Sequence, residues 1–224
     1  MTSVAGARIV GARVPALVPA HGDVHVLLVG EAPGPRGADK SGVPFFGDAA
    51  GRHLYSVLRT LGAVTVPAAV DAMPWDGAMF RDAGLRPEAS GIALGNAFDR
   101  CPTDDGVKFR TPTRRELESD ENLSRLRQEI GRLLDRGLRG VVTMGRVATL
   151  TIDAVFADHA HSSSAWPPLH RAAVPHPSAQ GLLSMAPDRG RGARMSDLQA
   201  AWMERCQQAI VAAGYPRTLH GGTR

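Results

Sequence analysis

The sequence predicts an α/β fold: a three-layer α/β/α sandwich around a four-stranded parallel sheet. The run Val26-Leu27-Leu28-Val29 is apolar throughout and is bounded by Gly30 and Pro33, the pattern of a parallel strand buried on both faces. Three further short runs, Gly91 to Leu94, Gly140 to Met144 and Leu169 to Val174, are each followed by a stretch with helical spacing or by a turn leading to one. Strand–helix alternation repeated four times implies a parallel sheet covered by helices on both faces. Ligands of such sheets bind outside the carboxyl ends of the strands, so those ends are where a site is expected.

Taken in order, residues 1–24 form an N-terminal arm with Pro15 and Pro19, and residues 25–224 a single domain. The first strand covers His25 to Val29, and the polar, turn-rich segment from Pro35 to Gly42 follows as a loop. Asp48 opens a helix through Leu54, Val57, Leu58 and Leu61, which stops at Gly62, a residue suited to a left-handed helix end. Residues 63–90 read as a long connection or small helical insertion carrying Trp75 and Phe80. The second strand ends at Gly95-Asn96-Ala97-Phe98, and residues 99–112 read as a second long loop. Thr113-Arg114-Arg115-Glu116 has capping-box spacing; the helix after it carries Leu123, Leu126, Ile130, Leu133 and Leu134 on one face. The third strand ends at Gly145-Arg146 and precedes a helix to about Phe156; His159 to Pro168 reads as a surface loop, with His159, His161 and His170 solvated. The fourth strand delivers Pro175-His176-Pro177-Ser178, Ala179 to Arg194 reads as a loop, and a last helix runs from Ser196 to Ala213.

With 224 residues, 43% of them hydrophobic, the chain can bury a sizeable core. It has no apolar run of the roughly 18 residues needed to span a membrane, and its N-terminus lacks the contiguous apolar stretch of a signal peptide; the cytoplasm is the expected location. All but two of the 26 basic residues are Arg, the exceptions being Lys40 and Lys108, and the net charge is +4. Two readings of that bias are open, a base-composition effect in the coding DNA and phosphate binding. The only two cysteines, Cys101 and Cys206, are far apart in sequence. They cannot supply the four thiolates of an iron–sulfur cluster or a structural zinc site, so no cofactor and no metal are expected.

Glu31, Asn96, Gly145 and His176 each stand at or just past the carboxyl end of a strand and should converge on one edge of the sheet. The Asn amide offers a donor and an acceptor side by side, matching the edge of a pyrimidine. An aromatic ring, Phe45 or Phe46, supplies a stacking wall. His176 can donate to an oxygen that gathers negative charge, and Glu31 can orient water or stabilise a cation. Together these groups suit cleavage of an N-glycosidic bond to a pyrimidine.

Five stretches resemble the ordered motifs of the uracil-DNA glycosylase superfamily: Gly30-Glu31-Ala32-Pro33-Gly34, Pro44-Phe45-Phe46-Gly47, Gly95-Asn96-Ala97-Phe98, Val142-Thr143-Met144-Gly145-Arg146-Val147-Ala148 and His176-Pro177-Ser178. The resemblance covers about residues 25 to 180. It implies that Glu31 lies in the water-activating loop, that Phe45 stacks on the flipped base beside Gly30 and Ala32, that Asn96 reads its pairing edge, and that His176 donates to its O2. It further implies DNA contacts from Pro33, Arg146, Ser178 and a basic loop with Arg189, Arg191 and Arg194, the alternative for that loop being a merely solvated one. The first motif is similar to that of branches holding an iron–sulfur cluster, for which this chain lacks the cysteines; Asn96-Ala97-Phe98 and Thr111-Pro112-Thr113-Arg114 look like a cluster-free branch. Other branches carry Asp where this chain has Ala32. The expected function is that of a monomeric, monofunctional DNA glycosylase taking uracil by default. A modified pyrimidine, such as one in phage DNA, is the alternative substrate. A non-catalytic nucleic-acid binder and an enzyme on free nucleosides or nucleotides are the alternatives of other classes.

Overall fold

The computed structural model describes residues 9–103, 105, 108–160, 166–187 and 192–216. In chain order the elements are β1 (Ile9–Arg13), β2 (Val24–Gly30), α1 (Ala38–Ser41), α2 (Ala49–Thr60), β3 (Val64–Thr65), α3 (Gly77–Asp82), β4 (Glu88–Ala89), β5 (Gly91–Asn96) and β6 (Arg100–Thr103). They continue with α4 (Arg114–Leu117), α5 (Asp120–Leu134), β7 (Gly140–Met144), α6 (Arg146–Ala160), β8 (His170–Val174), α7 (Ala179–Leu183) and α8 (Met195–Ala212). Four strands form a parallel sheet in the order β5-β2-β7-β8. β2 is central and buried nearly throughout, which is why it reads as an unbroken apolar run.

Helices cover both faces. On one face Leu54, Val57 and Leu58 of α2 and Leu198, Trp202, Cys206 and Ile210 of α8 pack with Val26 and Leu28. On the other, Leu126, Ile130 and Leu133 of α5 and Ala148, Ile152 and Val155 of α6 pack with Leu27 and Val29. Alternate β2 residues therefore serve opposite layers, as the period of two in a strand requires. Residues 63–90 form the β3–β4 antiparallel pair, a 3-10 turn at Ala68–Ala72 and α3. This segment seals the first face with an aromatic cluster: Phe46 stacks on Phe80 at 4.6 Å and meets Tyr55 and Trp75 at 5.2 and 5.3 Å.

Several local expectations are corrected. Residues 99–112 are not all loop, because β6 pairs antiparallel with β1. The helix expected after Thr113 is two helices, broken where Ser119 caps α5 by accepting from Asn122 N–H at 3.3 Å. The loop expected from Ala179 begins as α7, which Ser178 caps. His159 lies within α6 and stacks on Trp166 at 3.9 Å rather than standing in a solvated loop, whereas His170 is exposed at the start of β8. His161 is outside the described residues. No described helix is long and apolar enough to cross a membrane.

Candidate active site

The carboxyl ends of the strands open into a cleft of about 750 Å³. Glu31, Ala32, Phe45, Arg146, His176 and Ser178 all line it. Each is delivered by the turn that follows a strand or opens a helix, so the convergence is a product of the sheet rather than of any one loop.

The β2 end sets the floor. Gly30 pairs with Asn96 across the parallel ladder, and a Cβ on Gly30 would stand 2.5 Å from Phe45 Cζ and 2.9 Å from Asn96 Oδ1. Only glycine leaves room for ring and amide to share that point. Phe45 is the only described non-glycine residue with a positive φ, 60°, a conformation that costs of order 1–3 kcal/mol for a bulky side chain. The turn around it is held from both sides: the Tyr55 hydroxyl donates to Pro44 O at 3.0 Å and the Ser41 hydroxyl to Phe46 O at 2.7 Å. The strained turn divides the two rings, sending Phe46 into the aromatic cluster and Phe45 to the cleft.

Asn96 is 4% exposed, is not itself among the cleft-lining residues, and its amide lies beside the Phe45 ring at Gly30. Its main chain is braced from the far side. Arg125 Nη2 donates to the carbonyls of Asn96 and Ala97, both at 3.0 Å, and Asn122 Nδ2 donates to Ala97 O at 2.9 Å. Asn96 Nδ2 itself is buried with no hydrogen-bond partner among the described residues, and so is Glu31 Oε1. A buried polar group without a partner costs about 1–3 kcal/mol, which a ligand bearing the complementary atoms would recover. Burial pushes the Glu31 carboxyl above the usual carboxylate range, opposed by a hydrogen bond from the Thr111 side chain.

His176 is fixed more tightly. Ser178 N–H donates to its Nδ1 at 3.2 Å, so the neutral ring carries its proton on Nε2. Burial holds its pKa down to about 4, leaving a neutral donor at physiological pH. A Cβ on Gly181 would collide with the His176 carbonyl, and one on Gly145, whose φ is 88°, would stand 3.2 Å from His176 Cβ. Trp202 Nε1, deep in α8, donates to Pro175 O at 2.8 Å and ties the loop to the core.

Not every expected residue reaches the cleft. Pro33 is buried and does not line it. Arg194 is exposed at the N-terminal end of α8 and lies outside the lining, while Arg189 and Arg191 fall outside the described residues. Among the lining residues that escaped the sequence reading are Asp48, Phe109 and Thr111. Asp48 was read only as a helix opener, and it does cap α2 through Gly51 N–H at 2.7 Å. Its carboxyl is pushed up by burial, against the pull of the Gly51 and Ala50 amides. Phe109 is 42% exposed at the cleft, and nothing in its local pattern marks it. Among the described residues no group of three or more His, Cys, Asp or Glu could hold a metal ion. Cys101 on β6 and Cys206 on α8 do not fit the four-thiolate set of an iron–sulfur cluster.

This edge of a parallel sheet has a carboxylate, an amide and a histidine at strand ends and an aromatic ring in the turn before α2. The model of the Uracil DNA glycosylase superfamily matches residues 18–201, and the chain belongs to that superfamily. Within it, the chain is similar to a type-5 uracil-DNA glycosylase of Thermus thermophilus, 32% identical over 169 residues. The match spans 75% of this chain and 66% of that protein's length.

Proposed function

We propose that this chain is a DNA glycosylase that hydrolyses the N-glycosidic bond of a pyrimidine nucleotide flipped out of DNA, with uracil as the first substrate, and leaves an abasic site. One observation carries the reading. At the same end of the sheet an orphaned buried donor, Asn96 Nδ2, and an orphaned buried acceptor, Glu31 Oε1, flank an aromatic ring and a neutral Nε2–H donor. The superfamily and the named activity of the Thermus relative support it.

In this reading the base slides along the face of Phe45 and presents its pairing edge to Asn96. Glu31, ionised above its raised pKa, takes a proton from water as the water attacks C1′. The C1′–N1 bond breaks, and its electrons pass to the base, whose O2 is stabilised by Nε2–H of His176. Asp48 supplies a second negative charge near the oxocarbenium-like sugar. Arg146, exposed on the rim, and Ser178 contact the phosphodiester. Lys40 pairs with Asp39 at 3.1 Å and neither it nor Lys108 lines the cleft, so the reading has no Schiff-base step and is monofunctional.

The second reading, a modified pyrimidine, is favoured by the cleft's walls. Ala32, Gly34, Ala38, Ala50, Ala179 and Gly181 all lack bulk, leaving room for a base with a larger substituent. Oligonucleotides each carrying one candidate base, treated with the protein and then with alkali, separate the readings. Strand breaks at uracil are the expected result, breaks only at a 5-substituted base establish the second reading, and no breaks at any base overturn both.

A further inference from the structure

The cleft shares Asp48, Ala50, Ser178 and Ala179 with a second cavity, of about 530 Å³, so the two meet along the amino ends of α2 and α7. We infer that this second chamber receives the base of the nucleotide adjoining the flipped one, so that two consecutive nucleotides of one DNA strand are held unstacked. The inference rests on the reading of the first chamber as the pocket of a flipped pyrimidine.

The lining supports it on three counts. The chamber has an aromatic wall of its own. Trp75 is half-buried, and Phe46, Phe80 and Tyr55 hold its indole at ring-centre distances of 5.3, 5.2 and 5.8 Å. A ring packed in this way is a rigid platform, and stacking on it tolerates any base because every base has a π-face. Leu182 and Met195 add apolar surface. The chamber also offers polar groups for the rest of a nucleotide. Asp48, Asp76 and Ser178 are spent as caps of α2, α3 and α7. Arg36, His53 and Gln199, by contrast, have no hydrogen-bond or ion-pair partner among the described residues. The Gln199 amide presents a donor and an acceptor side by side, as a base edge does. Arg36 is exposed and supplies the positive charge that a phosphodiester needs. The last count is continuity. A free small molecule does not require the chamber to adjoin the cleft, whereas a base tethered to the flipped nucleotide does.

The test is the binding, by fluorescence anisotropy, of single strands with a central uracil and an abasic analogue 5′ to it, 3′ to it or at neither position. Removing one of the two neighbouring bases is expected to weaken binding by the parent protein roughly tenfold, the worth of one stacked base, and removing the other to cost less. Gln199→Trp fills the chamber from α8, and Gln199 belongs neither to the cleft lining nor to the aromatic cluster. This variant should bind the intact strand roughly tenfold more weakly than the parent does, yet bind the strand lacking that neighbour as the parent does. Excision at saturating DNA should stay within about twofold of the parent, since the groups proposed for the chemistry are untouched. Equal affinity of the parent for all three strands overturns the inference. So does a Gln199→Trp variant that loses the same factor on the intact and the neighbour-less strands. Because binding is the readout, the inference is decided even where no strand is cut at uracil, a result that overturns the glycosylase reading alone.

Discussion

Two loops at the same sheet edge hold their functional groups in opposite ways. The loop after β8 over-determines His176: a backbone amide occupies Nδ1, two glycines let neighbouring chain press against it, and Trp202 anchors the residue before it. The loop after β2 leaves Glu31 Oε1 buried with no hydrogen-bond partner among the described residues. The difference follows from the tasks proposed for them. A donor to a developing oxyanion gains from being fixed before the charge appears, because no reorganisation is then needed. A base must accept a molecule that arrives, so part of its hydrogen-bonding capacity stays unspent.

The sharpest way to break this contrast is His176→Ala. Excision in single turnover should slow by roughly 10²–10³-fold, the effect of removing one preorganised donor, while affinity for an uncleavable substrate analogue changes far less. Gly181→Ala leaves every functional group in place but forces a Cβ against the His176 carbonyl. It should cost about 1–3 kcal/mol of stability by overpacking, measured by urea unfolding, together with a loss of rate. Full activity in that variant would mean that the clamp on His176 is incidental.

On the other loop, Glu31→Gln should lower the rate by about 10²-fold, the lower end for a general base. Asp48→Asn is the informative companion, since Asn caps a helix about as well as Asp. With the cap retained, a fall of about tenfold would report the lost charge, and parent-like turnover would make Asp48 a cap only. Asn96→Asp should reduce uracil excision by roughly 10–100-fold, the worth of a mismatched hydrogen-bonding edge. It should also admit a cytosine-type edge; an unaltered base preference would place Asn96 outside recognition.

The smallest expected effect is on stability. The folded pKa of His176, about 4, lies below the ordinary 6.5, so between those values the unfolded chain binds more protons than the folded one. Stability therefore rises with pH across that window and is lost as pH falls through it. His176→Gln cannot titrate, and its urea midpoint should change less between pH 7 and pH 5 than the parent's. Equal changes would mean that the ring is not desolvated in solution.

Much of this arrangement was legible in the chain. The β2 run, the capping box at Thr113 and the strand-end positions of Glu31, Asn96 and His176 are local patterns, and the structure places the last three at the carboxyl ends of the parallel strands. What escaped depends on distant partners. β6 is four residues long with Pro102 inside it, and it exists because β1 pairs with it from the far end of the chain. Nothing within residues 99–112 announces that pairing. α7 is too short for a helical period to show. Asp48 looked complete as a cap, and only the cleft beside it gives the carboxylate a second setting. Pro33, which the resemblance placed among the DNA contacts, is instead buried.

The β1–β6 ribbon also bears on the order in which the site is assembled. Beside it, Arg13 Nη1 meets Asp99 Oδ2 at 2.9 Å across 86 positions of sequence, and the two strands lie outside the main sheet, with a register irregularity between Val10 and Arg13. Pairings that close so long a loop form late and open early. The strand leading to Phe109 and Thr111 is thus expected to complete the cleft last and to exchange its amide hydrogens before β2 and β7, an order that native-state hydrogen exchange would read. The floor of the cleft belongs to the four-stranded sheet, whereas its mouth is reached from a separate two-stranded one.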